Sequence, residues 1–311
     1  MKLNIIKWRR VWWLISLTVI ISSIVGIIIS YSKFNAPLKL GLDFVGGTRL
    51  QLQLECETEK KCTVPIDTKI VRDILTTRDL NDNTIQVLEN NILSIQTKPL
   101  DVEQRTELQK ELNDRVGSFN FETIQIDTVG PTIGLELFKS GILALLASFL
   151  GIVFYLSIRF KIDYAFFAIL ALVHDVLITV GFFSYLGLFA SVEVNSLFLV
   201  SLLTIIGFSV NDTVVIYDRI RENIDRFGEE LSLSEIVNNS VNQTLSRSIN
   251  TTATTLLPLL SLFLFGGETI KFFALALILG FSVGSYSSIF IASTLLAWWR
   301  ESEVSNIKLK S

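Results

Sequence analysis

The sequence predicts a membrane all-α six-helix bundle with one α+β domain inserted after the first helix and exported from the membrane. Three observations carry this. Half the residues are hydrophobic and the mean hydropathy is +0.51, more than a single buried core needs in water. Six apolar stretches are long enough to cross a bilayer core about 30 Å thick. Between the first and second lies a hundred-residue segment of ordinary soluble composition.

The spans fall at about residues 12–30, 138–158, 165–187, 195–217, 248–266 and 270–297. The first follows Lys7, Arg9 and Arg10. Its apolar run exceeds a usual signal-peptide core and no Ala-x-Ala site follows, so it reads as an uncleaved anchor.

Basic residues near helix ends mark the cytoplasmic side. Lys2, Lys7, Arg9, Arg10, Arg159, Lys161, Arg219, Arg221, Arg226 and Arg300 share one side of a six-span arrangement. Both termini are therefore expected in the cytoplasm, with a cytoplasmic loop at 218–247 and a tail at 300–311. Residues 31–137 then form the exported domain. The net charge of −3 is too small to argue for nucleic acid.

In the exported segment, 48–54 alternates as a strand and 67–76 reads as a helix. Thr84–Leu88 and Ile92–Thr97 are strands flanking a turn signal at Asn90-Asn91. A helix capped by Asp101 covers 101–116, and 121–127 is the last strand. The order βαββαβ matches a ferredoxin-like split βαβ unit. Cys56 and Cys62, the only cysteines, either close a disulfide across residues 57–61 or remain two thiols on a hairpin. No further Cys or His completes a metal set there.

An ionisable side chain within a span costs at least a few kcal/mol in hydrocarbon, so each is a candidate functional site. Asp212 interrupts an otherwise apolar fourth span, flanked by Asn211 and Thr213. Near the start of the fifth span, Arg247, Thr251, Thr254 and Pro258 form one stripe at helical spacing, with Thr255 beside it; that stripe is expected to face away from lipid. The third span carries His174, the only histidine, and Asp175.

Bland readings stand beside these. Asp212 could bond a neighbouring helix and Arg247 could snorkel to the headgroups. His174 and Asp175 could be packing glue, and the threonines could bond their own helix. Small residues at Ala276, Gly280, Gly284, Ser288 and Ala292 make a four-residue ridge suited to close helix packing. No spaced metal ligands, Gly-x-Ser-x-Gly elbow or P-loop suggests a hydrolase.

These residues together resemble the SecD/SecF family of protein-export membrane subunits. Gly41-Leu42-Asp43-Phe44-Val45-Gly46-Gly47-Thr48 is similar to the family's G-x-D-F-x-G-G-T, and Val129-Gly130-Pro131-Thr132-Ile133-Gly134 to its V-G-P-x-x-G. His174-Asp175-Val176, the run from Asn211 to Glu222, Gln243 to Ser248 with Thr254-Thr255, and Gly284 to Ala292 fit spans three to six. Tyr217 and Ser248 stand where Phe and Thr are expected.

The resemblance implies half of an RND-type transporter whose six spans pair with six from a SecD-like partner. It implies a non-enzymatic role beside a SecYEG-type channel, assisting late translocation of a preprotein with the proton-motive force and no cofactor. Location would be a bacterial plasma (inner) membrane, or an internal membrane such as a thylakoid.

Asp212 and Arg247 are the expected proton-coupling pair, because burial favours a neutral carboxyl and a nearby cation the ionised one. His174, Asp175, Asn211, Thr213, Thr251, Thr254 and Thr255 are the supporting polar path. Gly41, Asp43, Gly46, Gly47, Gly130 and Pro131 form the domain joint, where glycine permits positive φ or close approach and Gly130-Pro131 fixes the return turn. The alternatives are an assembly subunit that only stabilises its partner, or an RND-type exporter of small molecules.

Overall fold

The structure, a computed structural model, describes residues 3–55, 66–81, 83–88 and 91–308. It divides into two compact units, one drawn from Leu40–Ser140 and the other from Met1–Lys39 with Gly141–Ser311.

The first unit contains a short helix α2 (Leu42–Val45), then β1 (Gly47–Leu54), α3 (Thr68–Thr77), β2 (Thr84–Leu88), β3 (Ile92–Thr97), α4 (Val102–Arg115) and β4 (Phe119–Val129). The sheet order is β2-β3-β1-β4 with every pair antiparallel, which is the expected ferredoxin-like topology. Leu50 and Leu52 of β1 and Leu93 and Ile95 of β3 are buried with Val71, Ile74 and Leu75 of α3 and Leu108 and Leu112 of α4. Each such side chain contributes about 1.5–3 kcal/mol on burial.

Local chemistry sets the element ends. Asp67 accepts from the Lys69 N–H at 2.9 Å. Asp101 and Gln104 form a reciprocal capping box at 2.8 and 3.1 Å. Asn91 takes the left-handed conformation, φ 55°. Cys56 and Cys62 lie outside the described residues.

Among the described residues, six helices are long and apolar enough to cross a membrane. They are α1 (Arg9–Phe34), α5 (Pro131–Arg159, entering from the first unit), α6 (Ile162–Ala190), α7 (Ser196–Phe227), α8 (Leu233–Phe265) and a last helix. That last helix runs as α9 (Glu268–Ser287), a π-helical turn Ser288–Ala292 and α10 (Ser293–Lys308). Helices α6, α7 and α9 form the centre, α1 packs on α6, and α8 packs on α7 and α9. The outer faces of α1, α5 and α8 expose large aliphatic and aromatic side chains, as spans facing lipid do.

Each helix outruns its predicted span, because hydropathy marks where apolar residues stop and not where hydrogen bonding stops. The expected loop at 218–247 is helical except for a short connection at 228–232. α7 continues through charges that pair along it, Glu222 meeting Arg219 at 2.6 Å and Arg226 at 2.8 Å. Ser232 then caps α8 in a reciprocal box with Glu235. The expected tail at 300–311 is likewise helical as far as Lys308. The domain limits of 31–137 also shift, since α1 runs to Phe34 and α5 starts at Pro131.

The same end of the bundle gathers the basic residues. Arg159 reaches both Asp218 oxygens at 2.9 and 3.0 Å, Arg300 reaches Asp163 at 2.6 Å and Arg9 reaches Glu301 at 2.9 Å. The N-terminal segment is held there by Asn238, which accepts from the Ile5 N–H, and by Asn242, which accepts from the Leu3 N–H, both at 2.8 Å.

Candidate functional site: a buried polar seam

A carboxylate among apolar helices must be satisfied by neighbours. Asp175, wholly buried on α6, meets this condition. Its Oδ2 accepts from Ser209 of α7 at 2.5 Å and Ser287 of α9 at 2.8 Å. Its Oδ1 lies 2.8 Å from Nδ1 of His174, itself buried. The imidazole stacks on Tyr286 at 6.3 Å between centroids, and its Nε2 has no partner among the described residues.

The seam continues along α7 and α9. Thr213 and Ser288 share a hydrogen bond at 2.7 Å, and the buried Tyr217 hydroxyl donates to the Ala292 carbonyl at 3.2 Å. The π-turn explains how both serines serve the seam. Its wider turn carries one more residue than an α-turn, so consecutive Ser287 and Ser288 are both buried and both reach inward. The predicted small-residue ridge lies on this face, where the position of Gly284 is 3.0 Å from the Ser209 Cβ when a methyl is built there.

Asp212 is buried on α7 at 4% exposure. The Ser285 hydroxyl of α9 stands beside it, and Arg247 acts on it electrostatically. Its Oδ2 has no partner among the described residues. Ser285 in turn accepts from Thr252 of α8 at 3.0 Å.

The predicted stripe on α8 is placed differently from expectation. Arg247, Thr254 and Pro258 are exposed and Thr251 and Thr255 half-buried. The three threonine hydroxyls turn back to the carbonyls of Arg247, Asn250 and Thr251 at 2.7–2.8 Å. Arg247 makes no ion pair among the described residues. Asn211 is exposed as well. Spacing explains the outcome: residues 247, 251, 254 and 258 share one face, while Ser248 and Thr252 lie about 100° round the helix, where both are buried and Thr252 bonds across to α9.

The joint motif is compact. Gly46 and Gly47 have φ of 77° and 129°. A Cβ on Gly46 would stand 2.8 Å from the Pro131 Cα, and one on Gly47 would run into the Thr97 carbonyl. Asp43 lies in α2, which Gly41 caps. Gly130 does not make a separate turn, because β4 ends at Val129 and Pro131 opens α5 directly, the first helical position that proline favours.

Sequence reasoning missed Ser209, Ser285, Ser287 and Thr252. A serine that reaches across to a carboxylate looks the same in sequence as one bonded to its own helix. The available signal was the run Ser285-Tyr286-Ser287-Ser288 beside the ridge glycines.

Comparison with known proteins gives the family. Residues 108–302 match the model "Protein export membrane protein SecD/SecF, C-terminal", and residues 34–58 match the "SecD/SecF GG Motif", which includes Gly46 and Gly47. The protein translocase subunit SecF of Synechocystis sp. is 58% identical over 97% of this chain and 95% of its own length. That of Prochlorococcus marinus is 39% identical over 96% and 95%. The crystal structure of SecDF, a translocon-associated membrane protein from Thermus, aligns with a TM-score of 0.80 at 32% identity. It covers 97% of this chain, which spans 39% of that longer protein. SecDF in a super-membrane-facing form aligns at 0.69 and 31%, over all of this chain and 40% of the other. The chain is a multi-pass membrane protein that belongs to the SecD/SecF family, in its SecF branch.

Proposed function

We propose that this chain is one half of a proton-driven accessory complex of protein export, which takes up and releases protons at Asp212 and uses them to help draw a translocating polypeptide out of the membrane. The observation that carries the reading is a buried carboxylate with one unpartnered oxygen, set where α7, α8 and α9 meet. A charge moved across the membrane is worth about 2.3 kcal/mol per 100 mV. One or two protons therefore bias a two-state motion by several kcal/mol without any covalent intermediate.

The outward polar face of Asn211, Arg247, Thr251 and Thr254 supports a second set of spans as partner. Such a face is costly against lipid and complements polar groups of a SecD-like subunit. The named relatives support a place beside a SecYEG-type channel, with preprotein as the load. The clustered arginines favour the end bearing Arg9, Arg159, Arg219 and Arg300 as cytoplasmic, which puts both termini inside and exports the ferredoxin-like unit. A bacterial plasma membrane fits, and an internal membrane fits equally by these criteria.

The test is Asp212→Asn in the assembled complex. Export of a secretory protein is followed in membrane vesicles with and without an imposed proton gradient, and copurification checks that the partner still binds. The gradient-dependent part of export disappears if Asp212 carries the proton. If that part persists, the chain is a structural subunit and coupling lies elsewhere.

A further inference from the structure

We propose that the inner face of α8 is the proton path between Asp212 and the arginine-bearing end of the bundle, a ladder of hydroxyls at Ser240, Thr244, Ser248 and Thr252 completed by Ser285. The inference rests on the reading of Asp212 as the proton carrier and adds the route that serves it.

The four α8 residues recur at every fourth position, and all four are buried. Arg247, Asn250 and Thr254 occupy exposed positions on the same helix, so the ladder is separate from the face proposed for the partner. Four residues of helix rise about 6 Å. Two hydrogen bonds of about 2.8 Å laid end to end nearly span that gap. Successive hydroxyls are therefore too far apart to bond directly, and the path requires one water at each step.

The bonding changes along the ladder. Ser240 donates to the Ile236 carbonyl at 2.7 Å and Thr244 to the Ser240 carbonyl at 3.1 Å, back-bonds that any packed helix shows. Ser248 departs from this pattern: at 1% exposure its hydroxyl has no partner among the described residues. Thr252 departs too, donating across to Ser285 instead of back to its own helix. The two residues that abandon back-bonding are the last two rungs, at the end where Thr252 reaches Ser285, and the Asp212 Oδ2 is also unpartnered. A buried hydroxyl without a partner is costly, and a water bound at Ser248 as part of the path would offset that cost.

The far end of the ladder reaches water. Asn223 donates to Ser240 at 2.8 Å and to Gln243 at 2.9 Å. Arg219 donates to the same Gln243 oxygen at 2.6 Å, and Gln243 is exposed. A polar mouth thus sits at the end of the bundle that carries the arginines.

The hops balance. Thr252 donates to Ser285, which leaves the Ser285 proton free for the Asp212 carboxylate. As Ser285 gives that proton to Asp212 it takes the one from Thr252, and Thr252 is reprotonated from a hydrated proton at Ser248. Only O–H bonds break and form, both hydroxyls finish protonated, and one proton reaches Asp212 for each that enters. Release to the arginine-bearing end, the direction in which an inward gradient drives net flow, is the same sequence in reverse, after the hydroxyls rotate.

The experiment measures gradient-dependent export by the intact complex in vesicles, as the difference between rates with and without the gradient. Thr252→Val and Ser248→Ala remove a hydroxyl, whereas Thr252→Ser and Ser248→Thr keep one. The hydroxyl-deleting variants are expected to lower the difference at least about tenfold, as the loss of one buried hydrogen-bonding group implies. The hydroxyl-keeping variants are expected within about twofold of the parent. Ser285→Ala breaks the same chain from α9 and replaces any α8 variant that fails to copurify with the partner.

Parental rates in Thr252→Val and Ser285→Ala would overturn the ladder, as would a Thr252→Ser loss as deep as that of Thr252→Val, which marks packing. Asp212→Asn is run in parallel. If it keeps the gradient-dependent part, the carrier reading fails; if it alone loses that part, only the ladder fails.

Discussion

Replacing Asp175 tests whether the seam between α6, α7 and α9 is a satisfied network. Asp175→Ala removes the acceptor of the Ser209 and Ser287 hydroxyls and the neighbour of His174. Interhelical hydrogen bonds within membranes average about 0.6 kcal/mol and reach about 1.7, so the two serine bonds account for about 1–3 kcal/mol. The cavity left in a fully buried site adds about 1 kcal/mol. Ser287 also lies 3.1 Å from the Gly284 carbonyl and recovers part of its loss, so the expected total is about 2–3 kcal/mol. Asp175→Asn behaves otherwise. Its carbonyl oxygen can face the two serines while its amide donates to His174 Nδ1, provided the imidazole proton sits on Nε2. All three contacts survive and the cost is about 1 kcal/mol, the charge assistance lost. Denaturing-detergent titration of the full chain, followed by helical circular dichroism, measures both. An alanine variant within about 0.5 kcal/mol of the parent, or an asparagine variant as damaged as alanine, refutes the network.

Two further outcomes concern the α+β unit. Gly47→Ala forces a side chain into φ 129° and against the Thr97 carbonyl, and is expected to cost about 2 kcal/mol or more. Gly130→Ala meets only the Ile133 side chain at 3.8 Å and is expected within about 0.5 kcal/mol of the parent; hydrogen exchange of the β1 and β3 amides in the full chain distinguishes them. The second outcome is a pH dependence. The Arg78 guanidinium, 2.7 Å from Glu111 across α3 and α4, holds that carboxyl below its usual range. A depressed folded value means the contribution is present above the unfolded value, about 4.3, and is lost as pH falls through the folded one. Partial exposure of the pair keeps it under about 1 kcal/mol, and Arg78→Gln is expected to flatten the corresponding slope in α4 exchange below about pH 4.3.

The α+β unit was legible because its signals are local. Alternation located Thr84–Leu88 and Ile92–Thr97 at their observed limits, and Asp101 announced α4. The membrane helices were legible in number but not in length. Hydropathy is silent on a helix that continues into water, although Ser232 and Glu235 carry a capping-box signature for the start of α8.

The candidate site was legible in part. Asp212 and Asp175 stand out because any charge in an apolar span does. Their partners do not, since whether a serine bonds its own carbonyl or a neighbouring helix depends on rotation about the helix axis. The π-turn adds a residue to one turn of α9–α10, and 3.6-residue spacing then misplaces Ser288 relative to Ser287. Their shared polar region makes Asp212 and Arg247 the expected proton-coupling pair. In the structure Arg247 stands one residue round the helix from Ser248, and hydroxyls occupy the space beside Asp212.

Proton movement itself is the most direct measure of the central claim. The complete export complex is reconstituted in vesicles with a pH-sensitive dye inside, a gradient is imposed, and proton entry is recorded while a secretory protein is translocated. Translocation is predicted to accelerate proton entry in the parent and to leave it at the leak rate in Asp212→Asn. Equal acceleration in the Asp212→Asn complex would contradict the account.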